Sequence, residues 1–197
     1  VSIELAARRL RYAYFEQLRE AVGADCIAVA HQKDDNVETI LHNIIRGTGI
    51  KGLSGMQTRN GRIWRPLLNI TRKEIEERLR ALGETYITDS TNLLDDATRN
   101  KIRHHIVPVL KEINPQAVEN ISRMAAIAAE TYSIEQHYYE ELAQRMRSEE
   151  QGCECYSAET EGDISGFTEG FLHYLLADKG FNATQIANIS ASLRSPE

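Results

Sequence analysis

The feature that most constrains the fold is a short apolar run that leads directly into a polar cluster and a helix. Residues 27–30 have the composition of a buried strand. Apolar side chains at helical spacing follow over residues 36–46. His31, Asp34 and Asp35 lie between the two. This order predicts an α/β fold, in which ligands bind at the carboxyl ends of parallel strands, beside helix N-termini.

A purely structural explanation of this cluster stays open. Asp34 or Asp35 can cap a helix, and Glu38 can stabilise the helix dipole. One cap requires only one aspartate, whereas three carboxylates occupy five positions here, next to His31. We therefore favour a site that performs chemistry.

The rest of the chain reads as mainly helical. Four glycines in nine residues over 47–55 predict an irregular loop, and the acidic stretch 148–166 predicts a linker. Helices are predicted over residues 3–21, 72–82, 99–110, 113–148, 171–177 and 184–193, and short strands over residues 26–30, 62–68 and 86–88.

Composition limits the class of protein. A chain of 197 residues with 42% hydrophobic and 26% charged residues is typical of one or two soluble globular domains, and no apolar run is long enough to cross a membrane. The net charge of −6 is unlike that of most nucleic-acid-binding domains. A local basic patch covers residues 99–111, although a solvated helix face paired with Asp95 and Asp96 would explain it equally well on charge alone.

Cysteine usage indicates the compartment. Cys26, Cys153 and Cys155 make an odd and low count that is typical of the reducing cytosol, so we expect a cytoplasmic protein without a disulfide framework. A lone C-x-C pair lacks the spacing of a zinc site.

An ordered set of motifs resembles the tRNA(Ile)-lysidine synthetase family. The segment 30–39 is similar to A-H-x-x-D-D-x-x-E-T, and the segment 46–56 is similar to R-G-[ST]-G-x-x-G-L-x-G-M. Residues 4–12 resemble the E-x-x-A-R-x-x-R-Y helix that precedes them. The other motifs follow in family order: Arg65-Pro66-Leu67-Leu68, Asp89-Ser90-Thr91-Asn92, Arg99-Asn100-Lys101-Ile102-Arg103 and Asn114-Pro115. The resemblance is specific over residues 4–115.

The resemblance implies a domain organisation. Residues 1–112 would be the C-terminal part of an ATP-pyrophosphatase catalytic domain, the back half of a parallel-sheet, adenine nucleotide α-hydrolase-like fold. Residues 113–148 would be a long linker helix, and residues 149–197 part of a helical domain for tRNA binding or substrate specificity. The family's S-G-G-x-D-S loop, which grips ATP, is not among these 197 residues. We therefore expect a fragment that is inactive by itself.

The resemblance also implies a reaction. ATP, with Mg²⁺, would adenylate the wobble cytidine of a tRNA(Ile) with a CAU anticodon, and the amine of L-lysine would then displace AMP. The implied partners are tRNA(Ile), L-lysine and ATP, with no membrane, and a homodimer is compatible with the resemblance.

Individual residues acquire roles in the same way. Catalysis and lysine binding fall to Asp35, Glu38 and Arg103, because carboxylates hold ammonium groups and a guanidinium holds a carboxylate or a phosphate. The segment 47–55 would close over the activated base. The remaining implied roles are phosphate binding by His31, Arg8 and Arg11, tRNA binding by Arg46, Arg99 and Lys101, and magnesium ligation by Asp34.

Two other hypotheses remain open. A related enzyme such as a tRNA cytidine thiolase typically uses paired cysteines, whereas here Cys26 lies in a strand pattern and the other two cysteines lie in the predicted linker. A non-catalytic RNA- or protein-binding module is the second alternative. The carboxylates beside His31 weigh against RNA binding at that point, because they would repel phosphates.

Overall fold

The computed structural model describes residues 3–87, 98–157 and 169–194. The chain divides into two compact units, residues 1–129 and 130–197. In the described ranges, no helix combines the length and the apolar character needed to span a membrane. The elements of the first unit are α1 (Ile3–Ala21), β1 (Ile27–Ala28), α2 (Lys33–Ile45), α3 (Ile50–Leu53), β2 (Arg59–Asn60), β3 (Ile63–Trp64), α4 (Arg72–Leu82), α5 (Thr98–Lys101), α6 (Val107–Ile113) and the first part of α7 (Ala117–Met146).

A small three-stranded sheet organises the first unit. Its order is β1-β3-β2, with β1 parallel to β3 and β2 antiparallel to β3. The predicted strands 26–30 and 62–68 are therefore present, but each has only two residues in the ladder. The chain leaves β3 at Arg65 and Pro66, and proline has no N–H with which to continue a ladder.

Helix α2 begins at Lys33, earlier than the predicted residue 36, because Gln32 is its N-cap. The Gln32 side chain accepts from the Asp34 N–H at 3.0 Å, and the Gln32 N–H donates to Asp35 Oδ2 at 3.1 Å. Asp35 thus belongs to a capping box, as the structural explanation of the cluster proposed. Helix α4 has the predicted bounds, with the Thr71–Glu74 capping box at its start and Gly83 in the left-handed conformation at its end.

The glycine-rich segment contains one turn of helix, α3, so the prediction that it holds no regular element is wrong. Its end is fastened to α2. Asn36 Oδ1 accepts from the Met56 N–H at 2.6 Å, and Gly55 has a positive φ of 65°. A Cβ on Gly55 would lie 2.5 Å from Asn36 Oδ1 and 2.9 Å from Ile40 Cγ1. Only glycine fits this contact.

Gly55→Ala is expected to lower the free energy of unfolding by about 2–5 kcal/mol. A positive φ costs a residue with a Cβ about 1–2 kcal/mol, and overpacking adds about 1–3 kcal/mol. Gly61→Ala is the matched control, since Gly61 has a φ of 57° and no atom within 4 Å of the added methyl group. Urea denaturation measures both variants, and equal losses would contradict the packing argument.

The predicted helix over residues 99–110 is divided into three pieces. Helix α5 is followed by a π-helical segment, Ile102–Ile106, and then by α6. Pro108 lies in the first turn of α6, where a helix tolerates proline. Ile102 and Val107 are buried against Val37 and Val118. These contacts hold the π-helical segment, and with it Arg103, against α2.

The second unit is built around the end of α7. Its core is formed by six buried apolar side chains from α7, α8 and α9, each worth about 1.5–3 kcal/mol when fully buried: Leu142, Met146, Phe171, Leu172, Leu175 and Ile186. Its other elements are β4 (Arg147–Glu150), β5 (Cys153–Tyr156), α8 (Glu169–Leu176), a 3₁₀ turn (Ala177–Lys179) and α9 (Ala183–Arg194).

The predicted linker over residues 148–166 is wrong where the structure describes it. Residues 147–156 form an antiparallel hairpin whose two-residue turn, Gln151 and Gly152, has positive φ at both positions, as such hairpins favour. The two predicted C-terminal helices are confirmed as α8 and α9.

Some predictions fall where the structure cannot test them. Residues 89–92, Asp95, Asp96 and the remainder of the linker from 158 onward lie outside the described residues. Within the predicted strand 86–88, Tyr86 and Ile87 form no regular structure. The three predicted domains also stay a prediction: the boundary between the two compact units, at residue 129, lies inside α7.

Candidate active site

The three residues predicted to bind lysine are in direct contact. Arg103 Nε lies 2.6 Å from Glu38 Oε1, and Arg103 Nη2 lies 2.9 Å from Glu38 Oε2, so this pair is bidentate. The same Nη2 lies 3.2 Å from Asp35 Oδ1. Asp35 and Glu38 are three residues apart on one face of α2, and Arg103 reaches them from the π-helical segment. We call these three residues the carboxylate–arginine triad.

The triad is partly removed from water. The side chain of Glu38 is 3% exposed, whereas those of Asp35 and Arg103 are 20% and 23% exposed. Burial raises the pKa of the Glu38 carboxyl, and the hydrogen bond from Arg103 acts in the opposite direction. Two carboxylates and one guanidinium leave one negative charge when all three are ionised. A single additional cation would neutralise the triad.

A cavity of about 250 Å³ adjoins the triad. Glu38, Arg103 and Lys111 supply part of its polar wall, and the apolar part is formed by Val37, Val107 and Val118. Polar or charged residues make up six of the ten that line it, so the cavity suits a small polar ligand. Its volume suits a ligand about the size of an amino acid.

His31 lies at the centre of a second group, in which arginines converge on the end of β1. Arg65 donates its Nε–H to His31 Nδ1 at 3.3 Å. Burial lowers the pKa of His31, the Asp35 carboxylate raises it, and the charges of Arg65, Arg8 and Arg99 lower it further. A neutral imidazole among guanidinium groups is a suitable place for an anion such as a phosphate.

Comparison with known proteins identifies the family. A model described as the PP-loop domain matches residues 1–110. The chain belongs to the PP-loop domain family. The tRNA(Ile)-lysidine synthase of Bacteroides thetaiotaomicron is 44% identical over 98% of this chain and 44% of its own length. That of Parabacteroides distasonis is 55% identical over 68% and 31%, and that of Porphyromonas gingivalis strain W83 is 41% identical over 100% and 42%.

These relatives confirm the resemblance predicted from the motifs. The chain spans less than half of the length of the curated relatives that it matches. The PP-loop match also supports the predicted adenine nucleotide α-hydrolase-like fold, and the mostly helical first unit with its small sheet is compatible with part of such a domain.

The contact of Arg65 with His31 is not predicted from the sequence, where Arg65 is only part of a motif. The signal that could have found it is positional: Arg65 follows β3 directly, and the segment 29–31 follows β1. Because β1 and β3 are parallel neighbours, residues that follow them meet at the same edge of the sheet.

Of the other basic residues predicted to bind phosphate or tRNA, some face His31 and α2 and others are exposed away from any described contact with them. Arg8 lies over the ring of Tyr12, at 5.0 Å from its centroid, and acts on His31 through its charge. Arg11 is exposed on α1 and shows no contact with His31 among the described residues. Arg99 donates to Thr39 Oγ1 of α2 at 2.9 Å and so faces the site. Arg46 and Lys101 are exposed. Their roles in binding phosphate or tRNA stay predictions.

The role of Asp34 as a magnesium ligand stays a prediction, and its carboxylate already has protein partners. Its Oδ2 accepts from the Arg72 N–H at 2.8 Å, and its Oδ1 lies 3.8 Å from Lys111 Nζ. In residues 3–87, 98–157 and 169–194, no group of three or more His, Cys, Asp or Glu side chains could hold a metal ion. The protein groups at Asp34 therefore favour a structural contact with α4 and α6.

Proposed function

We propose that this chain is part of a ligase that joins L-lysine to the wobble cytidine of a tRNA(Ile) with a CAU anticodon, with ATP as the activating substrate. The observation that carries the proposal is the carboxylate–arginine triad, in which two carboxylates share one guanidinium, with a cavity beside it. The names of the relatives support the same reaction. The low cysteine count supports a cytoplasmic location, and a homodimer stays a prediction from the resemblance.

The triad supplies what a lysine substrate requires. Asp35 is the more exposed carboxylate and the better partner for an ammonium group. Glu38 is buried and bound through both oxygens to Arg103, so it holds the guanidinium in place. When the amine attacks the activated cytidine carbon, the N–C bond forms, the C–O bond to AMP breaks with its electron pair, and a proton passes from nitrogen to Asp35.

The arginines around His31 serve the preceding step. The cytidine carbonyl oxygen attacks the α-phosphorus of ATP, and pyrophosphate leaves. Arg8 and Arg99 stabilise the negative charge of the phosphates, because their positive charges lie close enough to act on His31. The same charges stabilise AMP as the leaving group of the second step.

Incorporation of labelled lysine into a tRNA(Ile) transcript with a CAU anticodon tests the proposal. The protein is expressed from its complete gene and assayed with and without ATP. We expect incorporation that depends on ATP, one AMP per lysine, and none into a transcript with a GAU anticodon. A well-folded protein that incorporates no lysine would contradict the proposal, and cytidine thiolation in its place would favour the thiolase hypothesis.

A further inference from the structure

We propose that Arg65 is a positioning residue that fixes His31 as the neutral tautomer with its proton on Nε2. Arg65 Nε–H donates to His31 Nδ1 at 3.3 Å. A ring nitrogen that accepts a hydrogen bond carries no proton, so a neutral imidazole held in this way has its proton on the other nitrogen. The effect on the reaction rests on the function proposed above, whereas the tautomer itself does not.

Arg65 is held in place independently of His31. Its side chain donates from Nη1 to the Gln57 carbonyl oxygen at 2.8 Å, and its backbone N–H donates to the Thr58 carbonyl oxygen at 2.8 Å. The residue is only 6% exposed. A lysine at this position keeps the charge but has no planar fork that reaches two acceptors at once. The orientation of the donor is therefore specific to arginine.

The surroundings of His31 favour the uncharged ring. Asp35 faces it from α2, and it is opposed by Arg8 from α1, Arg99 from α5 and Arg65 from the segment after β3. Three cations and one anion, together with burial, disfavour a second proton on the ring.

The other ring nitrogen is left for a ligand. Within the part of the chain that the structure describes, the ring is hydrogen-bonded through Nδ1, and Nε2 has no partner. A neutral Nε2–H can donate to a phosphate oxygen of ATP during adenylation. The opposite tautomer would present a lone pair to that oxygen and repel it.

Arg65 affects adenylation through His31 and not through a contact of its own Nε with ATP. The hydrogen bond to Nδ1 holds the ring plane and the proton on the correct side, as the outer partners of catalytic histidines do in metal sites, where their loss typically costs about 10- to 100-fold. We expect Arg65→Lys to lower kcat for adenylation by about that factor and to change the KM for lysine little.

Nitrogen NMR of histidine side chains tests the tautomer directly. The protein from the complete gene is labelled with ¹⁵N in its imidazole rings, and the His31 signal is identified by its loss in His31→Asn. We expect a neutral Nε2–H ring at pH 7 in the wild type, and a mixture of tautomers in Arg65→Lys. In Arg65→Ala, which also removes a cation, the pKa of His31 should rise. Arg62→Lys, an exposed arginine just before β3, should change neither the tautomer nor kcat.

Each result is decisive. An imidazolium or an Nδ1–H tautomer of His31 in the wild type at pH 7 would overturn the proposal without the need for any variant to fold. An unchanged tautomer and an unchanged kcat in a folded Arg65→Lys would also overturn it. Absence of lysine incorporation by the wild type would contradict the proposed function, while the NMR result would still decide the role of Arg65.

Discussion

Asp35→Asn is expected to lower kcat/KM for lysine by about 100- to 1000-fold, because removing one partner of a desolvated charge pair costs about 2–5 kcal/mol. The substitution is conservative for the fold. Asparagine keeps a carbonyl oxygen that can accept from the Gln32 N–H, so the capping box survives. What it removes is the negative charge available to an ammonium group.

The assay is ATP-dependent incorporation of labelled lysine at several lysine concentrations. Glu119→Gln is a suitable control, since Glu119 is a carboxylate on α7 whose ion pair with Lys33 is solvent-exposed on the glutamate side. Near-normal incorporation by a folded Asp35→Asn protein would remove Asp35 from the lysine site. The pocket beside Glu38 would then need another explanation.

Arg103→Ala is expected to lower the free energy of unfolding by about 3–5 kcal/mol, in addition to its effect on activity. Glu38 is 3% exposed and its bidentate partner is Arg103, so the truncation leaves a buried carboxylate without its counter-charge. Chemical denaturation of the purified protein at pH 7 measures the loss.

Two further variants separate the charge effect from general disruption. Glu38→Gln combined with Arg103→Ala should recover much of the lost stability, because the buried charge is then absent. Arg72→Ala, which removes an i,i+4 pair with Glu76 on α4, should cost less than about 1 kcal/mol. A loss of similar size in Arg103→Ala and Arg72→Ala would show that the triad is not a buried ion pair in solution.

The proposed lysine site uses the same charges that hold the triad together. Arg103 compensates Glu38 in the folded chain, and the same carboxylates are proposed to receive lysine. Both are possible because the three ionised side chains have a net charge of −1. The arginine neutralises one carboxylate and leaves the other for the substrate. The two oxygens of Asp35 have different partners: Oδ2 accepts from the Gln32 N–H in the capping box, and Oδ1 accepts from Arg103.

The candidate site could be predicted in part because its two carboxylates are close together in the sequence. Asp35 and Glu38 lie within one turn of α2, and helical spacing alone places them on the same face. The motif resemblance then predicted that Arg103 belongs to the same site. Arg65 could not be found in this way, since no short-range pattern joins it to His31, and its importance depends on the parallel pairing of β1 with β3.

The fold shows the same division. The segment 47–55 is predicted to be irregular because of its four glycines, and residues 148–156 because of their polarity. Residues 50–53 nevertheless form a helical turn against α2, and residues 147–156 form a hairpin. In the first case packing of Gly55 against Ile40 outweighs intrinsic propensity. In the second, a turn with two positive φ angles directs the pairing of strands that lack an alternating apolar pattern.

The sequence by itself determined α4 with its caps, α8, α9 and the carboxylate face of α2, because these depend on interactions within about four residues. Only the tertiary structure decided the contacts of Arg103 with Glu38, 65 residues apart, and of Arg65 with His31, 34 residues apart. The physical reason is that a buried charge selects its partner by position in space. That position is set by the packing of Ile102 and Val107 on Val37 in one case and by the parallel strand pair in the other.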